Sequence, residues 1–133
     1  MAVRLIALDI DGTLLDESSN LPDVNRRAVM DATARGIEVA LVTGRRYDFA
    51  MPVARQIPCA LTMIVNNGAM VKSIHGETHM IYRLPREVAR RVLEAMPEFQ
   101  EMASVCFDRP ARNQLLTTAQ RHGQRCLHAI RQR

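Results

Sequence analysis

The sequence predicts an α/β fold of the doubly wound kind. Short apolar runs alternate with helical patterns through about residue 84. The first two runs are continuous rather than alternating, as expected of strands covered on both faces in a parallel sheet. Each of the first three runs stops at a polar residue close to a glycine, so Asp9, Thr43 and Asn66 fall at the carboxyl ends of three different strands. In open α/β sheets that end is where ligands sit.

The elements follow in order. Arg4 to Ile10 reads as a strand buried on both faces, and Asp11 to Asn20 as a polar loop. Leu21-Pro22-Asp23 opens a helix, with proline tolerated in the first turn and an acid suiting the dipole. Val24, Ala28 and Ala32 give it an apolar stripe, and Gly36 ends it. Ile37 to Val42 is a second buried strand. Thr43-Gly44-Arg45 leads into a second helix reaching about Gln56, weakened in its middle by Pro52. Leu61 to Val65 is a third strand. Ala69 to Ile74 and Thr78 to Arg83 flank His75-Gly76-Glu77 and read as a hairpin. Pro85 to Met96 is an amphipathic helix, with Val88, Ala89, Val92, Leu93 and Met96 on a face expected to pack into a core. Pro97 ends it. Ala103 to Phe107 and Asn113 to Ala119 are further strand candidates. A boundary near Leu84-Pro85 divides the chain into 1–84 and 85–133.

Composition narrows the function classes. The 133 residues suit one domain or one and a fraction, and 47% apolar content is too high for a disordered chain. No apolar run approaches the roughly 18 residues needed to cross a bilayer, so no membrane partner is expected. The run Leu5 to Leu8 stops at Asp9 and is neither a signal peptide nor an anchor. Cys59, Cys106 and Cys126 form no zinc or disulfide pattern, which favours a reducing cytoplasm. The net charge of +4 is uneven: residues 109–133 hold six arginines and no acid, leaving residues 1–108 at net −2. Arg109 to Arg133 could contact nucleic-acid phosphates, but no aromatic residue there offers stacking. The expected reading is a solvated basic terminus rather than a nucleic-acid site. His122 and His128 have no ligand spacing and are expected at the surface.

Three motifs could carry chemistry. In Asp9-Ile10-Asp11-Gly12-Thr13-Leu14 a strand can hold one carboxylate at its end, and the loop can turn a second toward the same spot. Two nearby carboxylates repel unless a cation or proton relieves them, and Mg²⁺, a hard ion that prefers oxygen, suits them. The bland alternative is an Asp- and Gly-rich turn. In Val42-Thr43-Gly44-Arg45 a hydroxyl at a strand end, beside N–H groups at a helix start, could bind a phosphoryl oxygen, and Gly44 would let backbone approach. An ordinary turn with Thr43 as helix cap is equally open. Arg45 could contact substrate phosphate or lie at the surface, where Arg46 is expected. Asn66-Asn67-Gly68-Ala69 reads first as a hairpin turn, and alternatively as placing an amide near substrate.

Together LDIDGTLL, VTGR and NNGA, in this order over residues 1 to about 84, resemble the Cof-type branch of the haloacid dehalogenase (HAD) superfamily. The resemblance implies a Rossmann-like core and an α/β cap inserted after the third core strand, beginning near Leu84. It implies a phosphatase for small phosphorylated metabolites, often sugar phosphates. Asp9 would attack phosphorus to give an aspartyl-phosphate. Asp11 would protonate the leaving oxygen and then activate water. Mg²⁺ would sit on Asp9 and near Asp11. Ile10, Thr43, Gly44, Arg45 and Asn67 would contact substrate phosphate.

The family also uses a later lysine and an acidic G-D-x-x-N-D segment. Lys72 is the sole lysine and lies in the hairpin, and Asp108 is the last acid. The closing core strands are also missing, so the sheet is expected to be incomplete and to favour self-association through its open edge. The chain is expected to be a fragment, a truncated product or a chain completed by another, with weak or no turnover. The alternative is a pseudoenzyme that binds Mg²⁺ and phosphate without turnover.

Overall fold

A computed structural model describes residues 2–99, 103–106 and 115–117. The chain separates into two compact units, Met1–Tyr82 and Arg83–Arg133. In the first, strands β1 (Leu5–Asp9), β2 (Glu38–Val42), β3 (Thr62–Val65), β4 (Met70–Ser73) and β5 (Thr78–Ile81) form one sheet in the order β1-β2-β3-β4-β5. The first three run parallel, and β3-β4 and β4-β5 are antiparallel. Helix α1 (Asp23–Ala34) links β1 to β2 and packs on β2, while α2 (Tyr47–Ala54) links β2 to β3 and packs on β3. This is a Rossmann-like α/β arrangement with an antiparallel extension.

Burial follows position in the sheet. Val39, Ala40 and Leu41 are all buried in β2, which has a neighbour on each side. In β3, Met63 and Val65 are buried and alternate with half-buried Thr62 and Ile64. The expectation that the first strand is buried on both faces is not met. β1 alternates exposed and half-buried residues, and Leu5 retains 53% of its surface. A continuous apolar run reports side-chain chemistry but not how many neighbours a strand has. Among the described residues β1 has one neighbouring strand.

Helix α1 needs a second correction. Val24 is 71% exposed and Ala28 is exposed too, whereas Val29 is buried at 5%. Polar residues share the inward face because they find partners there. The Asn25 amide donates to the Leu14 carbonyl at 2.9 Å, and the Thr33 hydroxyl donates to the Val29 carbonyl at 2.7 Å. A stripe drawn from apolar residues alone is therefore rotated away from the true face. Helix α2 buries Ala50, Met51, Val53 and Ala54, and Pro52 lies within it. Ile57, Leu61, Ile10, Leu14 and Leu15 complete one core with Val29, Val39, Leu41, Met63 and Val65.

The second unit is described by itself. It holds α3 (Arg86–Ala95), a single tight turn at Pro97–Phe99, and an antiparallel pair of β6 (Ser104–Cys106) and β7 (Leu115–Thr117). No residue of α3 is buried, and Val88, Val92 and Met96 are exposed. The amphipathic pattern is present, and on its apolar face Ala89 and Leu93 are half-buried, but among the described residues none reaches the burial expected of core packing. Most of Arg109 to Arg133, with His122, Cys126 and His128, lies outside the described residues.

Candidate functional site

The site is built at the carboxyl ends of β1, β2 and β3. Parallel register pairs Asp9 with Val42 and Val42 with Ile64, so the three strands finish side by side. Beyond Asp9 the chain coils once over Ile10–Leu14 and closes with a hydrogen bond from Leu15 N–H to the Ile10 carbonyl at 2.9 Å. Ile10 is the anchor of this bend, its side chain wholly buried in the core. Any contact it makes with a ligand is left to its backbone. Gly12 takes φ +74°, a left-handed conformation that costs glycine little. It turns the chain so that Asp11 and Thr13 stay exposed between the buried Ile10 and Leu14.

The second strand end carries Thr43, which retains 5% of its surface. Its N–H donates to the Ile64 carbonyl at 2.9 Å, and its carbonyl accepts Asn67 N–H at 3.3 Å. Its hydroxyl oxygen accepts Arg45 N–H at 3.1 Å. A hydroxyl has one donor and two lone pairs, so the O–H remains free to donate to an incoming oxyanion. Helix α2 begins only at Tyr47, with Arg46 at its cap. Thr43 is thus neither the helix cap nor beside a helix start, and Thr43-Gly44-Arg45 is a loop fastened by its own hydrogen bonds.

The third strand end supplies the fastening. Asn66 and Asn67 adopt φ +55° and +54°, and Gly68 φ +86°. Asparagine tolerates this region better than most residues, which explains its use twice in succession. Asn66 N–H donates to the Arg45 carbonyl at 2.9 Å, tying the two loops together. A Cβ on Gly44 would stand 2.7 Å from Asn67 Oδ1, so the Asn67 amide lies directly against the glycine. The turn reading holds, since the motif joins β3 to β4, and the same turn sets Asn67 against the loop that follows β2.

Arg45 bridges the first two strand ends. Its Nε donates to Asp11 Oδ2 at 2.9 Å and its Nη2 to Asp11 Oδ1 at 2.5 Å. This hydrogen bonding holds the Asp11 carboxyl below the usual carboxylate range and raises the Arg45 guanidinium in turn. The sequence offered no sign of the pairing, because the partners are 34 residues apart. Arg46, expected at the surface, is half-buried: it pairs with Asp48 at 2.9 Å and lies 4.5 Å from the centre of the Phe49 ring.

The exposed Asp9 carboxylate and Asp11 are oxygen donors of the kind Mg²⁺ takes. That ion commonly uses one or two carboxylates and completes its shell with water and substrate phosphate. Among the described residues no group of three or more His, Cys, Asp or Glu is gathered that could hold a metal ion. The donor set therefore fits a cation shared with substrate, not one caged by protein alone. A groove lined by Met51, Arg55, Ile57, Cys59, Ile74 and His75 opens at the other end of β3, away from these groups. Strand-end chemistry marks the candidate site.

The chain is similar to several known proteins. The chain is similar to 5-amino-6-(5-phospho-D-ribitylamino)uracil phosphatase YcsE of Bacillus subtilis, at 33% identity over 69 residues, covering 52% of this chain and 28% of that protein. It is similar to HMP-PP phosphatase of Serratia proteamaculans, at 31% identity over 90 residues, covering 68% of this chain and 33% of that one. A solved structure of a haloacid dehalogenase-like hydrolase from B. subtilis superposes with a TM-score of 0.66 at 28% identity, covering 72% of this chain and 34% of the other. The chain spans 27% to 37% of the length of the first three curated relatives it matches. The family model for haloacid dehalogenase-like hydrolases matches residues 6–124. With its strand-end carboxylates and its matched loops, the chain belongs to the haloacid dehalogenase-like hydrolases, in their Cof-type branch.

Proposed function

We propose that this chain serves the hydrolysis of small phosphorylated metabolites, with Asp9 as nucleophile. The observation that carries the reading is the level finish of β1, β2 and β3, with exposed Asp9, buried Thr43 and the Asn66-Asn67 turn at the same end of the sheet. An Asp9 oxygen would attack phosphorus as the bond to the leaving oxygen breaks, giving an aspartyl-phosphate. Asp11 would pass a proton to that leaving oxygen. Water would then attack phosphorus, losing a proton to Asp11 and releasing orthophosphate and Asp9. Splitting hydrolysis this way replaces one hard step with two easier ones. Thr43 and Arg45, with Asn67 and the backbone of Ile10 and Gly44, would position the phosphoryl oxygens, since positioning and charge neutralisation are most of what phosphoryl transfer asks of a protein. Mg²⁺ held by the Asp9 carboxylate and by the backbone or side chain near Asp11 would neutralise phosphoryl charge. The activities for which these relatives are named, one on a phosphoribityl compound, support a small phosphorylated substrate, with sugar phosphates and their like as the expected class.

Release of orthophosphate from a panel of sugar phosphates, measured with Mg²⁺, tests this. Turnover that vanishes in Asp9→Asn supports it, and equal turnover in that variant removes Asp9 from the chemistry. One observation favours a second reading, a binder without turnover: both Asp11 oxygens are engaged by Arg45. Titration with Mg²⁺ and beryllium fluoride beside the turnover assay separates the two, because a binder forms the Asp9 adduct yet releases no orthophosphate.

A further inference from the structure

The groove at the far end of β3 has a volume of about 620 Å³. That lies within the usual span of small-molecule sites, about 300–1,000 Å³. Its walls are aliphatic: Met51 comes from α2, Ile57 and Pro58 precede β3, and Ile74 follows β4. Among the described residues that line it there is no acid and no aromatic ring. The Cys59 sulfur lies 3.4 Å from the Thr33 hydroxyl, so that thiol already has company within the fold. Two cationic or chargeable groups remain, Arg55 at the C-terminal cap of α2 and His75 in the turn between β4 and β5. Both residues are exposed, yet both stand on fixed backbone. Arg55 N–H donates to the Met51 carbonyl at 2.9 Å, and His75 N–H to the Ser73 hydroxyl oxygen at 3.2 Å. The Tyr47 hydroxyl, donating to the Ser73 and Ile74 carbonyls, ties α2 to the wall opposite. An arginine meets a carboxylate by two parallel hydrogen bonds. With no ring to stack upon, a flat aromatic ligand gains little here, whereas an aliphatic body is held by burial alone.

We propose that this groove binds a medium-length aliphatic carboxylate. The chain lies against Met51, Ile57 and Ile74, and the carboxylate head meets Arg55 and His75. Charge complementarity and the aliphatic walls select this class together: a neutral chain leaves the two heads unused, and a bare anion leaves the walls unused. The site is separate from the strand-end chemistry and stands whether or not the phosphatase reading does. Its ligand touches both α2 and the turn after β4, and so fastens two elements that Tyr47 already joins.

Amide NMR shifts of the isotope-labelled full chain, titrated with hexanoate, octanoate and decanoate below their micelle concentrations, test this. The shifts should saturate and gather at Arg55, Cys59, Ile74 and His75. Affinity should rise about two- to four-fold with each added methylene, as burial of an aliphatic chain requires. Arg55→Gln combined with His75→Gln should weaken octanoate about five- to ten-fold, the hold of two partly screened polar contacts. Both positions are exposed, so the melting temperature of that variant should stay close to that of the unaltered chain. Octanol, which has the chain without the charge, should bind more weakly than octanoate. No saturable shift with millimolar decanoate overturns the proposal, as do shifts centred on the exposed apolar face of α3 instead of the groove. Equal affinity for octanol and octanoate, or an unchanged affinity in the double variant, removes Arg55 and His75 from the site and overturns it too. Adenosine monophosphate binding there more tightly than octanoate would replace the aliphatic body with a flat ring and overturn the assigned class.

Discussion

Gly44 and Asn67 show how one atom decides what a loop can be. The Asn67 amide oxygen stands where a Gly44 side chain would begin, so Gly44→Ala must turn that amide away. An off-rotamer side chain costs about 0.5–1.5 kcal/mol, and that is the expected loss in urea-unfolding stability. Asn67→Gly suits φ +54° and removes the obstacle, so Gly44→Ala should cost much less in its presence. Equal losses in the two backgrounds would show that the contact does not exist. Tyr47 gives a pH-dependent case. Its hydroxyl donates to the Ser73 carbonyl at 3.0 Å and to that of Ile74 at 3.3 Å. Burial pushes its phenol above the ordinary tyrosine value, with Arg55 and a Gly76 backbone bond opposing. A raised value in the folded state favours the neutral form. Its contribution is whole below the unfolded value of about 10 and is lost as pH climbs through the folded one. Tyr47→Phe should lower stability at pH 7 by about 0.5–1.5 kcal/mol and flatten the alkaline fall above about pH 10 in thermal melts. An alkaline limb unaltered in Tyr47→Phe would assign the fall to another group.

Element boundaries and faces were legible to different degrees, and each difference has a physical origin. β2 was read well because a central strand must be apolar on every residue it buries. The turn at Asn66-Asn67-Gly68 was read from residues that accept positive φ, and the backbone takes it at all three. α1 was misread because hydrogen-bonded Asn25 and Thr33 stand among its inward residues and no apolar count includes them. Unfolding measurements can check the revised face. Val29→Ala should cost about 1.5–3 kcal/mol, the worth of a buried valine, while Val24→Ala should stay within about 0.5 kcal/mol. Similar costs for the two would return the helix to its earlier orientation. The start of α2 was placed early because Thr43 resembles a helix cap, yet its hydroxyl serves Arg45 three residues before the cap.

Across the whole molecule, the strand ends were legible and the company they keep was not. Asp9, Thr43 and Asn66 follow from where apolar runs stop, and parallel register then sets their strands level. The Asp11–Arg45 pair depends on two loops meeting in space and leaves no trace in local spacing. The amphipathic pattern of α3 predicted a helix correctly, but a pattern does not say how far its apolar face is covered, and there Val88, Val92 and Met96 are exposed while Ala89 and Leu93 are half-buried. The same limit applies to β1. Its apolar residues were taken as proof of enclosure, whereas among the described residues its outer backbone edge has no partner strand.

That edge has a bearing on how the protein keeps in solution. Natural sheets blunt a free margin with lysine, proline, a bulge or an inward-pointing charge. Leu5-Ile6-Ala7-Leu8 contains none of these safeguards, and Arg4 and Asp9 guard only its two tips. Among the described residues its row of amides and carbonyls lies without a pairing strand, the kind of margin that sheet proteins elsewhere take care to cover.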